Sequence, residues 1–129
     1  MNIDWLNVFS DPYLKTPNGQ GVFLGGIVLG MIAKYQAGEG EGINSAPMFK
    51  QIVFGKMQRR DLLRHLSRVP ELIRVYDIPY EGLLEQLSAK TGELLLKDSS
   101  EMGVDGNFAF SVAFLNASKY FWKIFGKTE

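Results

Sequence analysis

The sequence predicts an all-α domain, a compact helical bundle of about five to six helices spanning residues 1–129. Three observations point there. Apolar side chains recur at three- and four-residue spacing through most of the chain. Prolines and glycines fall between those stretches as start and stop signals. No segment shows convincing strand alternation; Phe108 to Phe114 alternates weakly and is the one exception.

The N-terminal stretch 1–20 reads as a loop segment, with Asp11-Pro12 to Gly21 rich in Pro, Asn and Gly. A helix fits Gly21 to Gln36. Its apolar run Val22 to Ala33 falls short of the roughly 20 residues a membrane span needs, so it reads as a buried helix. Gly26 and Gly30 share one face, and such a small-residue face lets another backbone approach closely. Each glycine costs about 1 kcal/mol in a helix interior, so close packing must offset it, within the fold or against a partner chain.

Residues 37–45 read as a flexible, glycine-rich loop. Ser45 is the expected N-cap of a short helix from Ala46 to Phe54 that stops at Gly55. The next helix fits Gln58 to Val69, with Leu62, Leu66 and Val69 on its apolar face. Pro70 and Pro79 introduce helices at Glu71 to Tyr76 and Tyr80 to Lys97. Asp98 to Gly106 is a polar turn. A single aromatic-rich helix closes the chain from Asn107 to Phe125. It is apolar well beyond one stripe, so it must be buried on most sides or meet another subunit.

Composition limits the chemistry. Apolar residues make up 46% of the chain, which suits one globular domain. With no cysteine, disulfides, thiolate metal sites and cysteine nucleophiles are excluded. The start of the chain does not read as a signal peptide, and a cytoplasmic location is expected. The one histidine, His65, reads as a packed or boundary residue. Glu39 and Glu41 read as part of a solvated loop. No metal, cofactor or catalytic set is implied, so the expectation is a binding protein, not an enzyme.

Charge carries the functional clue. The net charge is zero, yet residues 48–76 hold seven basic side chains against two acidic ones, Asp61 and Glu71. On a wheel of about 100° per residue, Arg60, Arg64 and Arg68 share a face opposite Leu62, Leu66 and Val69. Successive members are about 6 Å apart, close to the phosphate repeat along a strand. Lys50, Lys56 and Arg59 are outer members. Two readings fit the row: a phosphate-backbone contact, or a solvated face whose arginines pair with acids of the C-terminal half or of a partner. No aromatic interleaving and no base-reading motif accompanies it, so bound nucleic acid would be held without sequence preference.

Three stretches carry a resemblance. Gly21 to Ala33, Ile52 to Arg64 and Asn107 to Leu115 resemble, in order and spacing, the C-terminal region of the large subunit of type I-B-like CRISPR Cascade complexes. The likeness runs from residue 21 to about 121. It departs at Val112-Ala113-Phe114, where a Gly-Tyr pair is expected, and that leaves the subtype open. In such systems this region is also made separately as a small subunit, and a 129-residue chain beginning at Met1 fits that product. The resemblance implies a non-catalytic helical bundle. It would stack with further copies of itself beside the Cascade large subunit and backbone subunits. Its nucleic-acid partners would be the crRNA–target DNA duplex and the displaced non-target DNA strand of the R-loop, with no membrane involved. Guide pairing would supply sequence specificity, leaving the protein to grip backbone charge.

Overall fold

The computed structural model describes residues 1–126. Every regular element among them is helical, and seven α-helices form, one or two more than expected. They are α1 (Pro17–Ala37), α2 (Pro47–Gln51), α3 (Arg59–Ser67), α4 (Val69–Val75), α5 (Glu81–Lys97), α6 (Gly103–Leu115) and α7 (Ala117–Phe125). Short 3-10 turns at Asp4–Val8, Pro12–Lys15 and Ile43–Ser45 complete the described chain. None of its helices is long and apolar enough to cross a membrane.

Helix α1 is the axis of the bundle. Thr16 caps it, its Oγ1 accepting from the Gly19 amide at 2.9 Å, and Pro17 occupies the first turn. Every residue from Gly21 to Ala33 is buried, so this helix has no solvent face. Helices α5, α6 and α7 pack along it, with α2, α3 and α4 completing the shell. The glycines mark where neighbours come closest. A Cβ on Gly26 would lie 2.8 Å from the Ala113 methyl and from the Phe110 carbonyl of α6. A Cβ on Gly30 would lie 2.5 Å from Ala117 and from the Phe114 carbonyl. The shared Gly26/Gly30 face thus packs inside the fold. Gly21 and Gly25 make a second small face, against Leu95 of α5 and Leu62 of α3.

Several boundaries differ from the sequence reading, each for a packing reason. The N-terminal twenty residues are not all loop. Pro17–Gln20 open α1, and Leu6 is fully buried. Trp5 stacks on Tyr120 of α7 at 5.4 Å, with Phe9 and Phe23 edge-on or tilted around them. The helix expected to run to Phe54 ends at Gln51, because Ile52 and Met57 are buried in an extended connector. Phe54 packs there on Phe49, Phe110 and Phe114. Ala46, not Ser45, is the N-cap of α2. The Ser45 hydroxyl instead donates to the Gly42 carbonyl. The polar turn is shorter than expected, since α6 begins at Gly103. The weakly alternating Phe108–Phe114 stretch is helical. The single closing helix is two, broken at Asn116, whose side-chain amide donates to the Val112 carbonyl at 2.8 Å.

The close approach of α1 to α6 and α7 can be checked by substitution. Gly30→Ala should destabilise the domain by about 1–3 kcal/mol, because the new methyl meets backbone that cannot move aside. Gly92→Ala, on an open stretch of α5, should stabilise it by about 0.5–1 kcal/mol. Thermal unfolding followed by circular dichroism reads both.

Candidate nucleic-acid interface

The basic segment spans α2, the connector of residues 52–58, α3 and the α3–α4 junction. Two polar clamps, one buried and one half-buried, hold it in place. The carboxamide of Asn107, on α6, accepts from the Met57 amide at 2.8 Å and donates to the Met57 carbonyl at 3.0 Å. It also donates to Gly103 at 2.8 Å, which leaves it no freedom to flip. This seats the connector on α6 and sets the direction in which α3 departs.

The second clamp is Arg59. Its guanidinium donates to the Leu95 carbonyl at 2.7 Å and the Asp98 carbonyl at 3.0 Å. These are among the last carbonyls of α5, which the helix itself cannot satisfy. The Arg59 amide also donates to the Glu101 carboxylate at 2.9 Å. Arg59 is therefore turned inward, and it separates from the other basic residues of the segment.

Helix α3 begins with a reciprocal capping box between Gln58 and Asp61. The Asp61 carboxylate accepts from the Gln58 amide at 2.9 Å, and this bond together with Arg64 holds its pKa below the usual value. Arg60 and Arg64 lie on the exposed face of α3, and exposed Arg68 sits just past its last turn. Arg64 pairs with Asp61 at 3.3 Å and Arg68 with Glu71 at 3.6 Å. Both pairs are local and open to solvent, so they hold the arginines weakly. Among the described residues no ion pair joins this row to an acid of the C-terminal half. Lys50 lies in the last turn of α2 and Lys56 projects from the connector, both exposed. Five cations against two carboxylates leave this surface positive.

Lys56 and Arg64 are brought together by the fold rather than by spacing. They flank a cleft of about 160 Å³ between the connector and α3, lined also by Gln51, Val53, Met57, Asp61 and His65. His65, expected to be packed or at a boundary, is 5% exposed. Burial, and then the Arg64 charge, press its pKa below the ordinary imidazole value. Lys56 stands outside the helix, so helical periodicity did not pair it with Arg64. A second, larger groove of about 780 Å³ lies between the end of α1, loop residues 38–41 and the α6–α7 junction. It shares no lining residue with the cleft. No group of His, Cys, Asp or Glu able to hold a metal ion occurs among the described residues.

These features define a class, a small helical domain that presents one basic surface built on polar clamps. The sequence comparison makes the family specific. The model of the CRISPR-associated protein TM1802 C-terminal domain matches residues 2–128, and the chain belongs to that family. No curated protein and no solved structure matches it.

Two outcomes separate the clamps from the surface row. Arg59→Ala should lower the unfolding free energy by about 1–3 kcal/mol, since it leaves helix-terminal carbonyls without their donor. Arg60→Ala should stay within about 0.5 kcal/mol of the parent in the same urea titration. The buried imidazole gives a pH signature. Its folded pKa lies below the unfolded value of about 6.5, so folding favours the neutral ring. That stability is present above about pH 6.5 and is lost as pH falls through the lowered value. Urea midpoints measured from pH 7.5 down to 5 should fall less steeply for His65→Gln than for the parent.

Proposed function

We propose that this domain is a non-catalytic small-subunit component of a crRNA-guided Cascade effector, of the type I-B-like class. It holds nucleic-acid backbone without sequence preference and stabilises the R-loop through the displaced non-target strand. The observation that carries the reading is the exposed cation set Lys50, Lys56, Arg60, Arg64 and Arg68, on a domain of a CRISPR-associated family. Weak, solvent-open ion pairs leave the arginines free to exchange Asp61 and Glu71 for phosphates. Arg59 is assigned a positioning role, because its guanidinium is committed to α5. The working site is cytoplasmic, within a complex that includes the large subunit, the backbone subunits and further copies of the domain.

One observation favours protein partners in addition. Helix α6 exposes Val104, Phe108 and Leu115, which are 87%, 68% and 57% accessible and share one side of the helix. A neighbouring subunit would cover such a stripe. The second reading, a structural adaptor whose arginines meet an acidic protein, uses the same row without nucleic acid.

Fluorescence anisotropy with single-stranded DNA decides between them. Changing Arg60, Arg64 and Arg68 together to Ala should weaken binding more than tenfold at low salt, on the order of one lost contact per arginine. The slope of log K against log salt should shrink by about 2. Unchanged affinity and slope, with the helical spectrum intact, would exclude these arginines from phosphate contact.

A further inference from the structure

We propose that the cleft between the α2–α3 connector and α3 is a seat for one phosphate group, gripped by Lys56 and Arg64 at the rim and by the His65 imidazole from the floor. The proposal rests on the backbone-binding reading above and gives it a defined point of contact.

His65 lines the cleft. It is more than nine-tenths buried, and its ring makes no hydrogen bond among the described residues. Buried polar groups are ordinarily partnered. Among the described residues no buried side-chain nitrogen or oxygen is sealed from solvent without a partner, so the ring nitrogens keep a little accessible surface. The cleft is where His65 meets open space. An unpartnered imidazole in the lining of a cleft that also carries a lysine and an arginine complements an oxyanion.

Size and charge agree with that occupant. At about 160 Å³ the cleft is smaller than the roughly 300–1,000 Å³ typical of pockets for whole small molecules. It suits a single phosphate group better than a nucleoside. Gln51 adds amide donor capacity to the lining. Val53 and Met57 supply apolar wall, which strengthens charge-assisted hydrogen bonds beside it. Asp61 is the opposing charge in the lining, and it is already occupied. One carboxylate oxygen takes Arg64 at 3.3 Å and the other takes the Gln58 amide at 2.9 Å. Arg64 can turn from Asp61 to the phosphate while the capping bond keeps Asp61 in place.

Binding should also take up a proton. The charged groups around His65 are Arg64, Asp61 and Arg68 on its own helix segment and Lys56 across the cleft. Burial, then Arg64 and Arg68, disfavour the imidazolium. A phosphate placed among these charges reverses that balance, and the ring then holds its proton at higher pH. A phosphodiester keeps its charge throughout this range, whereas inorganic phosphate takes its second proton near pH 6. An oligonucleotide therefore reports the ring's titration cleanly.

The test uses the full chain and the fact that His65 is its one histidine. Its ring resonances are followed by NMR during titration with oligothymidylate, with inorganic phosphate, and with chloride at matched ionic strength. The expected result is displacement of the His65 signals by oligothymidylate and a raised ring pKa in the complex. Oligothymidylate affinity should increase by up to about tenfold as pH falls from 7.5 to 5.5. Lys56→Ala, at an exposed position, should weaken the effect about tenfold while leaving the fold intact. Displacement by inorganic phosphate, with no oligothymidylate binding by anisotropy, would keep the seat but assign it to free phosphate or a monoester, and the backbone-binding reading would then fall. Oligothymidylate binding by anisotropy without movement of His65 would overturn the seat and leave that reading standing. Signals that respond to neither phosphate source beyond the chloride control would also overturn the seat.

Discussion

A helix with no solvent face constrains the whole domain. Once α1 is buried from Gly21 to Ala33, every direction around it must be filled by another helix. Its own side chains can be apolar on all sides, but neighbours on every side cannot all sit at ordinary distance without leaving voids. Glycine resolves this on two faces. Gly26 and Gly30 admit the α6 backbone and the Ala117 methyl of α7, and Gly21 and Gly25 admit α5 and α3 side chains. The entropic cost of glycine in a helix is offset by the extra contact between the partners. The remaining elements are arranged by what is left around that axis.

The basic surface depends on this packing at one remove. Helix α3 is short and strongly two-sided, with Leu62 and His65 inward and Arg60 and Arg64 outward. A helix of nine residues has little stability of its own, so its orientation comes from its attachments. Asn107 fixes the chain before it, and Arg59 fixes its first turn against the end of α5. The Asn107 carboxamide and the Arg59 guanidinium both bond within the fold, so their attachment reinforces the geometry instead of weakening it. The charges that face solvent are correspondingly lightly held. Tight clamps beneath and loose ion pairs above are what a surface needs if it is to exchange its own carboxylates for an external anion.

Much of this was legible in the residues. The run Val22 to Ala33 is buried as its composition requires, and the Gly26/Gly30 face packs inside. Helix α5 starts and stops within a residue of its proline and polar signals. The outward face of Arg60 and Arg64 follows from periodicity alone. Other features had no local signal. Arg59 is chemically identical to Arg60, and only the position of the α5 carbonyls separates a clamp from a surface cation. Asn107 lies among aromatics, and its partner Met57 is 50 positions away. The end of α2 at Gln51 was also hidden, because the burial of Ile52 and Met57 outweighs helix propensity there.

By itself, then, the sequence determined an all-helical bundle, a buried central helix and a concentration of positive charge in residues 48–76. Those properties follow from side-chain spacing and composition, which act over one or two turns. Tertiary structure alone decided that Arg59 turns inward while Arg60 does not, that Lys56 and Arg64 line one cleft, and that an unpartnered imidazole lines it with them. The reason is physical: a connector that leaves helical geometry loses the periodicity that relates its residues to those of α3. Their meeting is then set by long-range hydrogen bonds and packing.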